Sequence, residues 1–147
     1  MEAGKRMDRV DNTILDLLEK DGRATLSQLA EATGLSVSAV QSRVQKLERK
    51  GVIEGYRAVV DPELRGLSTG AFVAVTPLDY AQESLIPEKL RNIPGIISCD
   101  SIAGAPSFML TVRVESPAKL EELLNLIHRT VPVSTETTMI LKRYFAK

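Results

Sequence analysis

From Asp8 to Lys50 the apolar residues recur every three or four positions, the period of helices with one buried side. The first segment, Asp8 to Asp21, places Val10, Ile14, Leu17 and Leu18 on one face. Asp8 suits the N-cap, and Asp11 falls in the first turn, where the helix dipole favours a carboxylate. Asp21-Gly22 ends this helix. Thr25 with Gln28 forms a capping box for a short helix, TLSQLAEAT, whose inner side is Leu26, Leu29 and Ala30. Gly34 ends it, Leu35 turns inwards, and Ser36 caps a third helix that runs to Lys50 with Val40, Val44 and Leu47 inside. Gly51 stops it. Two helices joined by a three-residue turn containing Gly make a helix-turn-helix unit, and the third helix is then its recognition helix.

After Lys50 the period changes. Val52 to Val60 is β-prone and reads as a strand leaving the first domain; Asp61-Pro62 and Gly66 mark a turn or linker. Ala71 to Leu78 reads as a strand, Ser84 to Ile93 as a helix with Pro87 in its first turn, and Ile96 to Ala103 as a strand. Ser107 to Glu115 follows as a strand with Phe108, Leu110, Val112 and Val114 on one side. Ser116 caps a helix that opens at Pro117 and buries Leu120, Leu123, Leu124 and Ile127; Thr135 to Phe145 is the last strand. The order β-α-β-β-α-β is the ferredoxin-like unit, with two helices on one face of an antiparallel sheet. The other face is expected to carry Val73, Val75, Met109, Thr111 and Ile140 and to bury itself against a second copy. The fold class is therefore α+β. Residues 1–56 are expected to form a helix-turn-helix DNA-binding domain, 57–68 a strand and hinge linker, and 69–147 a ferredoxin-like oligomerisation domain, to which the resemblance described below adds effector binding.

Charge sharpens this reading. The 147 residues hold 19 Lys and Arg against 19 Asp and Glu, a net charge of zero, but the distribution is uneven. From Asp8 to Leu35 the net charge is −3; from Ser36 to Arg57 it is +3, carried by Arg43, Lys46, Arg49, Lys50 and Arg57 against Glu48 and Glu54. Opposite the apolar stripe of the third helix lie Ser38, Gln41, Ser42, Gln45, Lys46 and Arg49, without a carboxylate among them. Duplex DNA asks for that mixture: short polar side chains and Gln reach base edges, and cations meet phosphates. Ser36 and Arg43 complete the candidate DNA-binding set. Arg43, at the edge of the buried stripe, suits either a phosphate contact or an ion pair with an acidic residue of the first helix. Lys5 and Arg6 suit a DNA-reaching arm or a frayed terminus.

Composition restricts the chemistry. One Cys (Cys99) excludes an intrachain disulfide, and one Cys with one His (His128) cannot supply the four ligands of a structural zinc site. No catalytic residues, metal or cofactor are expected. Cys99 reads as a small buried side chain, and His128 as a surface residue near a helix end. With no Trp, three Tyr and three Phe, a base-stacking sheet for single strands is poorly supplied. No apolar run approaches the roughly 18–20 residues that span a bilayer, and the first residues lack a secretory signal, so no membrane partner and a cytoplasmic location are expected.

The stretch MDRVDNTILDLLEKDGRATLSQLAEATGLSVSAVQSRVQKLERKGVIEGYRAVVDPELRGL, followed by the β-α-β-β-α-β half, resembles the Lrp/AsnC (feast/famine) family of transcription regulators. Shared features include the Asp-x-x-Asp start, Asp-Gly-Arg, Val-x-x-Arg-Val-x-x-Leu-Glu and Gly-Val-Ile-x-Gly-Tyr. The resemblance implies an N-terminal winged helix-turn-helix that binds double-stranded DNA. It also implies a C-terminal domain, often called RAM, that forms homodimers and then octamers as tetramers of dimers. Amino acids commonly bind between dimers and shift assembly or DNA affinity.

By the same resemblance the effector pocket involves the loop Gly104, Ala105, Pro106 and Ser107, and the Thr-rich last strand with Thr135, Thr137 and Thr138. Many relatives carry an Asp three residues after the Gly. Here Ser107 stands there, and a hydroxyl cannot pair with an ammonium group as a carboxylate does. On the residues alone, Gly104 equally suits a tight strand connection. The function expected is a sequence-specific transcriptional regulator answering to an amino-acid-like metabolite. An architectural DNA-binding protein is the alternative, and a tetrapyrrole decarboxylase-like enzyme a remote one.

Overall fold

The computed structural model describes residues 7–147, so Lys5 and Arg6 lie outside the described residues. The chain divides into two compact units between Val59 and Val60. In the first, α1 (Arg9–Lys20), α2 (Leu26–Thr33) and α3 (Val37–Arg49) enclose a core of Ile14, Leu29, Ala30, Val40, Val44 and Leu47. Val10, Leu17, Leu18, Leu26 and Leu35 pack against it, half-buried. The caps are those the sequence implies. Asp8 accepts the Asp11 N–H at 2.7 Å, and the Thr25–Gln28 box is reciprocal, at 3.2 and 2.8 Å. Ser36 accepts the Ala39 N–H at 3.2 Å. Gly34, with φ of 71°, makes the left-handed stop between α2 and α3.

Val52 to Val60 is not a strand. A strand exists only where a neighbour takes its backbone hydrogen bonds, and no strand pairs with this stretch among the described residues. Val59 is 99% exposed.

The second unit is a four-stranded antiparallel sheet in the order β2-β3-β1-β4, with β1 Thr69–Pro77, β2 Ile96–Ser101, β3 Phe108–Val114 and β4 Val133–Ile140. The helices α4 (Ile86–Leu90) and α5 (Pro117–Thr130) connect β1 to β2 and β3 to β4. Val73 and Val75 belong to the buried face, contrary to the expectation that they lie on the open one. Val73 pairs with Leu110 and Val75 with Phe108, and directly paired residues share a face. All four pack with Ile86, Leu90, Leu120, Leu123 and Ile127. The open face instead takes Phe72, Ala74 and Thr76 from β1, together with Met109, Thr111 and Ile140 as expected. A one-residue shift in parity moves every side chain of a strand to the other face.

Element ends follow their partners. β4 begins at Val133 opposite Pro77 and ends at Ile140 opposite Gly70, so the expected strand through Phe145 stops where β1 runs out. The expected helix over residues 84–93 is a 3-10 segment, Tyr80–Leu85, followed by the short α4. Asp79 starts the 3-10 turn by accepting the Ala81 N–H at 3.0 Å, and Pro87 confines the α-helical start to Ile86, since a proline is tolerated only in a first turn.

Gly95 joins α4 to β2 with φ of 95°, and its carbonyl accepts the Arg113 N–H at 2.8 Å. A Cβ there would lie 3.2 Å from Val114 Cγ1 and 3.3 Å from Leu123 Cδ2. Gly95→Ala is expected to destabilise the chain by about 1–3 kcal/mol, from left-handed strain plus crowding in a packed core. Gly104→Ala, with only Pro106 Cδ at 4.0 Å, should stay within about 0.5 kcal/mol of wild type. Paired urea titrations check both values.

Candidate nucleic-acid interface and effector loop

The helix α3 turns two unlike sides to its surroundings. Val40, Val44 and Leu47 are buried, while Ser38, Gln41, Ser42, Gln45, Lys46 and Arg49 are all exposed. Ser36, also exposed, is partly committed as the N-cap, and its Oγ lies 3.2 Å from that of Ser38. The exposed side therefore offers hydroxyls at the helix N-terminus, two amides along its length and two cations towards its end. Helix N-termini and cations favour phosphate, and amides can pair with a base edge.

Arg43 differs from the other cations of α3. It is half-buried, and its Nη1 donates to Asp8 Oδ2 at 2.6 Å and to Asp11 Oδ1 at 3.2 Å. Of the two roles the sequence leaves open, the structure places it in the ion pair. Asp8 thus uses both oxygens, one for the helix cap and one for Arg43. The Asp11 N–H, and then the Arg43 guanidinium, hold the Asp8 carboxyl below its ordinary pKa; the two carboxylates in turn raise that of Arg43. Nearby, the Tyr56 hydroxyl donates to Glu48 Oε1 at 3.1 Å, tying the residues after α3 back to it.

In the second unit, the hairpin loop between β2 and β3 closes through Ile102 N–H to Ser107 O at 3.1 Å and Ser107 N–H to Val75 O at 2.9 Å. Gly104 and Ala105 are exposed, whereas Pro106 and Ser107 are half-buried. Thr135 pairs with Val75 on the opposite side of β1, so the loop end and the start of β4 flank the same residue. The three threonines do not share a face. Thr135 and Thr137 are paired with Val75 and Val73 of the helix-covered face, whereas Thr138 is paired with Phe72 of the open face. The Thr135 hydroxyl lies 2.8 Å from His128 Nε2 of α5, a contact that no sequence pattern signals because it joins a helix end to a strand edge. Cys99 is half-buried beside the core, and burial, followed by the charge of Asp100, pushes its thiol pKa up. No helix of the described residues is long and apolar enough to cross a membrane.

A helix-turn-helix whose third helix exposes hydroxyls, amides and cations, with Glu48 engaged by Tyr56 at its flank, followed in the same chain by a β-α-β-β-α-β unit, defines a two-module DNA-binding regulator. Comparison with known proteins gives the family. Residues 7–54 match the model for winged helix-turn-helix DNA-binding domains, and residues 70–147 match the Lrp/AsnC ligand binding domain. The chain is 48% identical over 140 residues to the HTH-type transcriptional regulator LrpA of Mycobacterium tuberculosis, covering 95% of this chain and 93% of the relative. It is 34% identical to the leucine-responsive regulatory protein of Escherichia coli, covering 82% and 75%. A solved feast or famine regulatory protein from M. tuberculosis, complexed with L-methionine, superposes with a TM-score of 0.92 at 48% identity, covering 96% of each chain. The chain belongs to the Lrp/AsnC family of transcriptional regulators.

The Asp8 geometry sets a pH dependence. A carboxyl whose pKa is lower when folded contributes stability that is present above its unfolded value and lost as pH falls through the folded one. Thermal unfolding followed from about pH 5 down to about pH 2.5 should therefore show the first unit losing stability below the ordinary Asp value, and Asp8→Asn should flatten that part of the profile.

Proposed function

We propose that this regulator binds duplex DNA sequence-specifically in the cytoplasm, as a dimer formed through the open sheet face, and that an amino acid adjusts its assembly or DNA affinity. The observation that carries the DNA-binding part is the outer face of α3, where Ser38, Gln41, Ser42, Gln45, Lys46 and Arg49 stand exposed with no carboxylate among them. Gln41 and Gln45 read base edges, Ser36, Ser38 and Ser42 bond phosphates near the helix N-terminus, and Lys46 and Arg49 neutralise phosphates. A dimer would present two such helices to half-sites about 34–36 Å apart. Its interface is supported by Phe72, 40% exposed, with Ala74, Met109, Thr111 and Ile140 around it on a sheet face that neither α4 nor α5 covers. Further assembly to an octamer, a tetramer of dimers, would bring loops 104–107 of different dimers together.

The effector reading rests on the ligand-binding family model and on the L-methionine bound by the solved relative. In this chain the site is assigned to Gly104, Ala105, Pro106 and Ser107, with Thr135 and Thr137 from β4, while Thr138 belongs to the open face. The exposed backbone at Gly104 and Ala105 offers the carboxylate of an amino acid its N–H groups, and Ser107 offers a hydroxyl in place of a charged partner for the ammonium.

Three measurements test these assignments. Lys46→Ala should weaken binding to every duplex and reduce the salt slope by about 0.9 for each phosphate that is no longer neutralised, whereas Gln41→Ala should relax preference at one base pair by about 1–3 kcal/mol. Equal affinity of wild type for its selected site and for random duplex would remove the sequence-specific reading. A thermal-shift screen with the twenty amino acids, L-methionine first, should find at least one that adds about 2.7 kcal/mol at 100 times its dissociation constant. No shift with any of them would reject the amino-acid assignment.

A further inference from the structure

We infer that Asp8 and Asp11 are positioning residues for DNA recognition. Through Arg43 they fix the angle at which α3 is presented, and the charge of Arg43 is neutralised inside the protein rather than on a phosphate. This inference rests on the reading of α3 as the recognition helix.

Arg43 sits one residue before the buried Val44 and one after the exposed Ser42, at the border of the two sides of α3. A guanidinium meant for phosphate would extend outwards, as the exposed Lys46 and Arg49 do. Instead one nitrogen, Nη1, is shared by two carboxylates at 2.6 and 3.2 Å. The two acids are also tied through the main chain, because the Asp11 backbone N–H donates to Asp8 Oδ1 at 2.7 Å. The three residues close a triangle that links the first turn of α1 to the middle of α3. The acids lie in a shallow cleft of about 160 Å³ lined also by Met7, Lys46, Leu47 and Lys50, so the triangle borders a cation assigned to phosphate.

Exposed ion pairs add little to stability, and two acids beside a DNA-binding cation repel the phosphate backbone. Their presence is unfavourable for DNA affinity as such. What these directional bonds supply is orientation: side chains that read bases must be held to within about 0.5 Å, and charge-assisted bonds between α1 and α3 add geometric specificity to the non-directional packing of Val40, Val44 and Leu47. The expected consequence is a separation of affinity from specificity. Neutralising the acids lowers the background repulsion but loosens the reading of the base edges.

The experiment uses the full chain and two duplexes, one selected by the protein from a random pool and one of random sequence, with anisotropy titrations over a salt series. Asp8→Asn keeps an N-cap-competent side chain. The Asp8→Asn/Asp11→Asn double variant should lower the selected-to-random affinity ratio at least about five-fold, roughly 1 kcal/mol of discrimination, without weakening binding to random duplex. Arg43→Gln should lower the ratio similarly while keeping the wild-type salt slope, and Arg43→Lys should restore part of the ratio, since an ammonium still reaches a carboxylate. Circular dichroism and thermal unfolding accompany each variant; should the double variant unfold, Asp11→Asn alone carries the test, with a smaller drop in ratio expected.

An unchanged ratio in the folded acid variants overturns the inference. So does a salt slope in Arg43→Gln that falls as it does in Lys46→Ala, because Arg43 then touches phosphate. Failure of the reading beneath it looks different: wild type would show no preference between the duplexes, and Lys46→Ala would bind like wild type.

Discussion

Two helices cover only one face of a four-stranded sheet, and much of the second unit follows from that constraint. Once β1 pairs with β3 so that Val73 meets Leu110 and Val75 meets Phe108, those residues go under α4 and α5. Phe72, Ala74, Met109 and Thr111 are then left on the outside by the alternation of the strand. The same register sets the ends of β4 and puts Thr135 level with the closing residue of the β2–β3 loop. It also separates Thr138 from Thr135 and Thr137. The proposed interface and the proposed effector site are thus two outcomes of one pairing.

The first unit solves a different problem. Its small core leaves one long side of α3 free, and Lys46 and Arg49 on that side make no ion pair among the described residues. The exception is Arg43. It is a cation of α3 whose charge is answered within the unit, by two acids that also start α1. The −3 of the first two helices is therefore not only solvated surface: part of it grips the +3 of the third.

Local signals were legible wherever a short stretch of chain carries its own physical reason. Asp8, Thr25 with Gln28, Ser36 and Ser116 cap the helices they precede because each bonds an N–H three residues on. The apolar stripe of α3 and the β-α-β-β-α-β order were equally plain, and the motifs around them pointed to the Lrp/AsnC family. Val52 to Val60 misled, because a run of β-prone residues states a preference but not a partner. The parity of β1 misled for a related reason: Thr69 to Pro77 alternates, but both alternate sets contain apolar residues, so periodicity alone does not choose the inner one.

The sequence by itself determined the two modules, the caps that start α1, α2, α3 and α5, and the polar, cationic character of the outer face of α3. These depend on residues within about one helical turn of one another, or on a period that repeats along one element. Only the tertiary structure decided which side of β1 is buried, where β4 stops, that His128 meets Thr135, and that Arg43 answers Asp8 and Asp11. Each of these joins residues on separate elements, 32 and 35 positions apart in the case of Arg43. Such a meeting is fixed by how the elements pack, and spacing along the chain carries no record of it.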